Sequence, residues 1–113
     1  TLGLIGAGNI GSIVAKKSIG YGLHVQAYDP FLTDERADQL GVKKLDLDTL
    51  LEMSDIISLH VPKTTETANI INANAINKMK KGSMLINCAR GGLVDEMALY
   101  AALQNNQCAV FAV

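Results

Sequence analysis

Short apolar runs alternate with helix-like segments along the whole chain of 113 residues. The clearest runs are apolar at nearly every position, whereas a strand with one solvated face would alternate apolar and polar residues. Such runs are typical of strands buried on both faces of a parallel sheet. The predicted strands are Leu2–Ile5, Leu23–Tyr28, a short one beginning at Val42, Ile56–Val61, Met84–Cys88 and Cys108–Val113.

The segments between these runs carry the signals of helix ends. Thr33 is a residue type that favours the N-cap position, and Gly41 is typical of the position that ends a helix. Asp46 or Asp48 begins the next helix, and Asp95 the last one. The predicted helices are Ile10–Ile19, Thr33–Leu40, Leu47–Met53, a short helix containing Ile76–Met79, and Asp95–Gln104.

Strands that alternate with helices predict an α/β fold with a parallel sheet. The right-handed crossover rule then favours a doubly wound, Rossmann-like sheet, whose ligands bind beyond the carboxyl ends of the strands. Thr1 and Val113 lie at the outer ends of predicted strands, so we expect residues 1–113 to be one domain core, truncated at both ends, from a longer two-domain protein.

The turn after the first strand, Gly6-Ala7-Gly8-Asn9-Ile10-Gly11, matches the dinucleotide-binding pattern G-x-G-x-x-G. Gly6 suits the tight turn, because glycine adopts backbone angles that other residues avoid. Gly8 has no side chain to hold a pyrophosphate away from the main chain, and Gly11 lets the helix approach the sheet. The N–H groups at the start of that helix then face the pyrophosphate. A glycine-rich structural turn is the alternative.

Asp29 ends the second strand, at the distance from the glycines where such folds carry an acidic residue for the adenosine ribose. A carboxylate there accepts hydrogen bonds from ribose hydroxyls and repels a 2′-phosphate, which favours NAD over NADP. Arg36 is the nearest basic residue downstream, and a cation near Asp29 would weaken this preference.

Composition narrows the classes of partner. Hydrophobic residues make up 49% and charged residues 19%, so a sizeable core is expected and disorder is not. The net charge of −1 gives no support for a nucleic-acid or membrane partner. No apolar run is long enough to span a membrane. Cys88 and Cys108 lie in apolar runs without metal-site spacing, so we expect buried thiols, no metal and a cytoplasmic protein.

Two further turns reach the same edge of the predicted sheet. In the turn Asn87–Gly92, Arg90 would present a planar, permanently charged donor fork that can hold a carboxylate and polarise a carbonyl. The alternative is a surface arginine paired with Asp95 or Glu96. In the other turn, Val61 offers an apolar wall and Pro62 a rigid corner. We interpret His60 as a strand-end histidine held by its surroundings.

These motifs together resemble the NAD-binding domain of the D-isomer-specific 2-hydroxyacid dehydrogenases. The resemblance rests on Gly6–Gly11, Tyr28-Asp29-Pro30, Leu59-His60-Val61-Pro62, Met79-Lys80-Lys81-Gly82 and, most specifically, Asn87-Cys88-Ala89-Arg90-Gly91-Gly92-Leu93-Val94-Asp95-Glu96. It implies an oxidoreductase that uses NAD. The chain departs from the family at Asn9, where many relatives have arginine, and in Cys108–Val113, which is bulkier than expected.

The resemblance also implies roles for individual residues. Asn9 and Ile10 lie against the pyrophosphate, and Asp29 holds the adenosine ribose. Val61 and Pro62 border the adenine side, whereas Cys88 and Ala89 lie along the nicotinamide side together with Arg90. Arg90 is the catalytic arginine, which orients the carboxylate and the 2-oxygen of the substrate. The family's catalytic glutamate and histidine, and its substrate domain, are expected outside this chain.

The resemblance leaves the substrate open. The sequence Cys88-Ala89-Arg90-Gly91-Gly92 favours the branch of this family that oxidises 3-phospho-D-glycerate to 3-phosphooxypyruvate for serine biosynthesis. Sister enzymes that act on glyoxylate, hydroxypyruvate, lactate or formate are one alternative. A non-catalytic, nucleotide-sensing corepressor is another. The expected partners are a small 2-hydroxyacid and a second copy of the chain, in a dimer or tetramer. Tested alone, the chain is expected to turn over no substrate.

Overall fold

The computed structural model describes residues 1–62 and 64–105, and the backbone of 108–112 as a strand. In this part of the chain, strands and helices alternate as the sequence predicts. The strands are β1 (Leu2–Ile5), β2 (Val25–Tyr28), β3 (Lys43–Lys44), β4 (Ile56–Leu59), β5 (Ser83–Asn87) and β6 (Cys108–Ala112). The helices are α1 (Asn9–Gly20), α2 (Asp34–Leu40), α3 (Leu47–Met53), α4 (Ala73–Lys78) and α5 (Glu96–Gln104).

The strands form one parallel sheet in the order β3-β2-β1-β4-β5-β6. This is the strand order of the doubly wound dinucleotide-binding fold, so the predicted fold class is confirmed. Ile5, at the end of β1, pairs with both Tyr28 and Leu59. The chain order reverses between β1 and β4, and the crevice beyond this point is where such sheets bind their ligands.

The sheet separates two layers of buried side chains. Leu4 packs in a cluster with residues of α1 and α2, whereas its neighbour Ile5 packs with residues of α3, α4 and α5. Adjacent residues of a strand point to opposite faces, so a strand covered on both sides must be apolar throughout. This explains why β1 is buried at every position.

Helix ends follow the predicted chemistry. The side chain of Thr33 caps α2, and Gly41 ends that helix with a φ angle of 75°. Asp46, one of the two alternatives for α3, is its N-cap, and Asp95 caps α5. No helix within the described ranges is long and apolar enough to cross a membrane.

Two predicted strand ends are wrong. β4 ends at Leu59 instead of Val61, and β5 ends at Asn87 instead of Cys88. Cys88 therefore lies in the following loop, where it is exposed and not the buried thiol that its apolar neighbours predicted. The prediction that the last strand includes Val113, and that of a buried Cys108 side chain, lie outside what the structure describes.

Candidate functional site

In the glycine turn between β1 and α1, two of the glycines are required for steric reasons. Gly6 has a φ angle of +103°, and a Cβ atom there would lie 2.5 Å from the carbonyl oxygen of His60. A Cβ atom on Gly11 would collide with the carbonyl oxygen of Gly6. Glycine at position 6 therefore lets the turn lie against the residue that follows β4, and glycine at position 11 lets α1 lie close to the turn.

Gly8 lacks a side chain for a different reason. A Cβ atom at Gly8 would meet no atom within 4 Å, so packing in this structure does not require glycine there. Gly8 is also the N-cap residue of α1, and no side chain caps this helix. The other described helices are each capped by a side chain, from Thr33, Asp46, Asn72 and Asp95. The start of α1 is thus left open to a ligand.

Asp29 is tied to the glycine turn. The backbone N–H of Ala7 donates a hydrogen bond of 2.8 Å to Oδ2 of Asp29, and the N–H of Phe31 donates one of 2.9 Å to Oδ1. Ser12 supports the same turn from the helix, since its hydroxyl donates to the carbonyl oxygen of Ala7 at 2.8 Å. A carboxylate has about four acceptor positions, so Asp29 retains capacity for two ribose hydroxyls.

Arg36 and Asp29 line different cavities in the structure. Arg36 lines a cavity of about 480 Å³ between α1 and α2, together with Asn9 and Lys16. Asp29 lines a separate cavity of about 470 Å³. The cation in that second cavity is Lys44, which the sequence analysis did not single out because only the pairing of β3 with β2 brings it to the same cavity as Asp29.

A third cavity, of about 360 Å³, lies where β1, β4 and β5 end. It brings together six residues that the sequence predicted to bind the cofactor, and it adds His60. Its lining residues are Ile10, His60, Val61, Pro62, Cys88, Ala89 and Arg90. The predicted adenine-side and nicotinamide-side residues thus share one cavity, although their individual roles stay predictions.

The loop that carries Arg90 is held by the side chain of Asn87. The amide nitrogen of Asn87 donates to the carbonyl oxygen of Arg90 at 2.9 Å, and its amide oxygen accepts from the N–H of Ala89 at 3.1 Å. The Arg90 side chain is exposed, and it makes no ion pair within residues 1–62 and 64–105. The alternative of a surface pair with Asp95 or Glu96 is therefore not what the structure contains.

His60 is held by a side chain as well as by the sheet. The backbone N–H of His60 donates to the carbonyl oxygen of Ile5 at 2.7 Å. The Nε2 atom of its ring shares a hydrogen bond of 2.8 Å with the hydroxyl of Ser58. Burial lowers the pKa of His60 from its usual value of 6.5. A neutral, anchored imidazole forms part of the cavity wall, which agrees with its interpretation as a strand-end histidine.

Pro62 is fixed by the turn that follows it. The hydroxyl of Thr67 donates to the carbonyl oxygen of Pro62 at 2.7 Å and accepts from the N–H of Thr64 at 2.7 Å. These threonines stabilise the turn. Elsewhere in the part of the chain that the structure covers, no group of three His, Cys, Asp or Glu side chains is arranged to hold a metal ion.

Comparison with known proteins identifies the family. Residues 1–113 match the model of the D-isomer specific 2-hydroxyacid dehydrogenase, NAD binding domain, and the chain belongs to this family. It is 51% identical to D-3-phosphoglycerate dehydrogenase of Synechocystis sp., over 95% of this chain and 19% of that protein. It is 53% identical to hydroxypyruvate reductase of Thermotoga maritima, over 88% of this chain and 32% of that protein.

Among solved structures, the chain is similar to D-lactate dehydrogenase from Aquifex aeolicus, a structure complexed with NAD and lactic acid. The TM-score is 0.91 and the identity 44%, over 97% of this chain and 33% of that one. The chain thus spans about a fifth to a third of the length of these relatives. The predicted family and the predicted cofactor, NAD, are confirmed.

The residues present fit this cofactor. The uncapped start of α1 and the open space at Gly8 suit a pyrophosphate, which needs close approach to free N–H groups. Asp29 has acceptor positions left for a ribose. Asn9 is exposed at this helix start, and its side-chain amide offers an uncharged donor.

Proposed function

We propose that the chain is the NAD-binding domain of an enzyme that oxidises a D-2-hydroxyacid to the 2-oxoacid. The proposed substrate is 3-phospho-D-glycerate and the product 3-phosphooxypyruvate, which serves serine biosynthesis. The 51% identity to D-3-phosphoglycerate dehydrogenase of Synechocystis sp. supports this choice. The observation that carries the proposal is the cavity at the ends of β1, β4 and β5, where Arg90 lies beside residues proposed to bind the cofactor.

The chemistry divides between cofactor and protein. NAD, when bound, accepts a hydride from the carbon that bears the hydroxyl group. The start of α1 would hold the pyrophosphate of this cofactor, and Asp29 would bind its adenosine ribose. Arg90 binds the substrate carboxylate with its planar fork and stabilises negative charge on the 2-oxygen. The proton of the hydroxyl group passes to the histidine of a glutamate–histidine pair, which we expect outside this chain.

A second candidate is the reduction of hydroxypyruvate. It is favoured by the 53% identity to hydroxypyruvate reductase of Thermotoga maritima. Both reactions need the same contacts to NAD and to a 2-oxoacid carboxylate, and they differ in the group attached to the third carbon. Contacts to that group belong to the substrate domain, so the NAD-binding domain serves either reaction equally well.

A substrate panel on the intact protein tests the proposal. Formation of NADH from NAD is followed with 3-phospho-D-glycerate, D-glycerate, D-lactate and formate, and its consumption with glyoxylate, hydroxypyruvate and 3-phosphooxypyruvate. We expect the highest kcat/KM for the phosphorylated pair. A preference for hydroxypyruvate would select the second candidate. NADH binding without turnover of any of these compounds would identify a nucleotide-sensing module of the corepressor kind instead.

We also propose a homo-oligomer that forms through α5. Met97, Tyr100 and Leu103 lie three residues apart on this helix, and their exposed fractions are 85%, 63% and 36%. Residues at this spacing share a helix face, and an exposed apolar face favours association. Sedimentation analysis of the intact protein should show a dimer or tetramer that Met97→Glu dissociates. A monomer in both forms would refute this proposal and leave the activity untouched.

A further inference from the structure

The cavity beside Asp29 contains more charge than that residue alone. Asp29 lies at the end of β2, Asp34 begins α2, and Asp46 caps α3. Lys44, at the end of β3, also lines this cavity of about 470 Å³. The described lining thus holds three carboxylates and one ammonium group. These carboxylates are not grouped as a metal site would require.

The single cation of this cavity is already paired. The Nζ atom of Lys44 lies 3.5 Å from Oδ1 of Asp34. An unpaired ammonium group at this position would attract a phosphate group on the neighbouring ribose. Asp34 reduces that attraction, since it places an opposite charge on Lys44 within the same cavity.

Asp46 adds a further negative charge to this cavity. Its carboxylate accepts a hydrogen bond of 2.7 Å from the N–H of Thr49, and this bond lowers the pKa of Asp46. Asp46 therefore stays ionised at neutral pH, where it faces the same cavity as Asp29. Because Lys44 pairs with Asp34, the negative charges of Asp29 and Asp46 have no positive partner within the described lining of this cavity.

We propose that the Asp34–Lys44 ion pair helps to determine the choice of dinucleotide, because it weakens the attraction of Lys44 for the 2′-phosphate of NADP. The inference rests on the proposed placement of the adenosine ribose at Asp29. A phosphate on the 2′-oxygen of that ribose would enter the cavity that Lys44 lines. It would carry nearly two negative charges into a space with a net excess of carboxylates. Selectivity for NAD then depends on Asp34 and Asp46 in addition to Asp29.

Binding of NADH and NADPH to the intact protein tests this inference. Asp34→Asn removes one charge and frees Lys44, so the Kd for NADPH should fall about fivefold, while that for NADH stays within about twofold. Adding Lys44→Ala to Asp34→Asn should reverse this gain. Asp46→Ser, which keeps an N-cap residue, should produce a gain of similar size. In 0.5 M salt these gains should shrink, because the groups are exposed.

The matched control is Glu35→Gln. Glu35 lies in the first turn of α2, as Asp34 does, and it is outside the lining of the cavity. Glu35→Gln should leave the ratio of the NADPH and NADH affinities unchanged, although it removes the same charge from the same end of α2. Equal shifts for Glu35→Gln and Asp34→Asn would reduce the effect to net charge and overturn the inference.

The possible failures are distinguishable. If the wild-type protein binds NADH but Asp34→Asn leaves the NADPH to NADH ratio unchanged, or still binds no measurable NADPH, the ion pair does not determine the choice. If the wild-type protein binds neither dinucleotide, the proposed cofactor function fails as well. Melting temperatures of all variants, measured alongside, exclude unfolding as the cause of an altered ratio.

Discussion

The backbone N–H of Ala7 donates a hydrogen bond of 2.8 Å to Oδ2 of Asp29. This bond joins the glycine turn, which is proposed to bind the pyrophosphate, to the carboxylate that is expected to hold the ribose, although the two residues are 22 positions apart. Asp29 therefore has a structural task in the absence of any ligand. Its substitution should alter both the shape of the turn and the binding of the nucleotide.

Asp29→Ala should weaken NADH binding about 10- to 100-fold. Loss of hydrogen bonds to a charged acceptor costs about 1.5–3 kcal/mol, which corresponds to this range. The melting temperature should also decrease, because the N–H groups of Ala7 and Phe31 lose their acceptor. Calorimetric titration and thermal melts of the intact protein measure the two effects. Asp38→Ala is the control, since Asp38 is exposed on α2 and lies outside the cavity lining; an equal loss there would remove the special role of Asp29.

Substitutions of two glycines should separate folding from cofactor binding. Gly11→Ala places a methyl group against the carbonyl oxygen of Gly6 and should lower the free energy of unfolding by about 1–3 kcal/mol. Gly8→Ala meets no protein atom and should leave the melting temperature within a few degrees of wild type.

The same Gly8→Ala protein should bind NADH at least about tenfold more weakly, because the methyl group would occupy the space proposed for the pyrophosphate. Fluorescence titration with NADH provides the measurement. Wild-type affinity in Gly8→Ala would mean that the pyrophosphate does not rest on this turn, whatever the fold of the protein.

Arg90→Ala should reduce kcat about 100- to 1000-fold, as expected for the loss of a group that stabilises charge in the transition state. NADH affinity should stay within a few-fold of wild type, since Arg90 is assigned to the substrate. Steady-state kinetics and NADH titration of the intact enzyme separate these effects. Arg36→Ala is the matched control, because Arg36 lines the cavity between α1 and α2. Normal turnover by Arg90→Ala would exclude the proposed role.

Asn87 should act through Arg90. Its amide group bonds to the carbonyl oxygen of Arg90 and to the N–H of Ala89, so Asn87→Ala frees the loop without removing the guanidinium. We expect a smaller loss of kcat than in Arg90→Ala, about tenfold, as is reasonable for a misplaced catalytic group. In the double variant, the two losses should not add, because Asn87 has no task once the guanidinium is gone. Additive losses would indicate a separate role.

Local patterns carried the predictions that succeeded. Thr33, Asp95 and Gly41 act within a few residues of their own position, so their capping roles can be inferred from neighbours alone. Cys88 was assigned wrongly because the end of β5 depends on which residues of β4 are available to pair, and β4 itself ends at Leu59. Apolar sequence does not contain that information.

Features that depend on the packing of distant segments could not be predicted. The Asp34–Lys44 pair requires the pairing of β3 with β2. From the sequence, Arg36 was the cation expected to weaken the preference for NAD over NADP, because it is the nearest basic residue after Asp29. In three dimensions Lys44 shares the cavity of Asp29 instead.

Ser54 should be important for stability. It is the buried C-cap residue of α3. The amide nitrogen of the buried Gln26, on β2, donates to its hydroxyl at 2.9 Å, and that hydroxyl donates to the carbonyl oxygen of Leu50 at 2.6 Å. Ser54→Ala leaves the Gln26 amide without this acceptor and should lower the free energy of unfolding by about 1–3 kcal/mol. Chemical denaturation measures this loss, and Ser18→Ala is the control for loss of a hydroxyl on a partly exposed helix surface.

The size of that loss should depend on the partner. In Gln26→Leu, a further Ser54→Ala change should cost much less than it does in the wild-type protein, because no buried amide is then left unsatisfied. The same cost in both backgrounds would show that the hydroxyl contributes through Leu50 alone.

His60 should make stability depend on pH. Burial lowers the pKa of His60 below its usual value of 6.5, so the unfolded chain binds a proton more readily than the folded one. The free energy of unfolding therefore decreases as pH falls below about 6.5, and it is fully retained above that value. In His60→Gln this part of the decrease should disappear between pH 7.5 and 5.5, as measured by denaturation at each pH. His24→Gln, which changes an exposed histidine, should keep the wild-type slope. If His60→Gln keeps it too, burial of the imidazole is not what links folding to protons in this range.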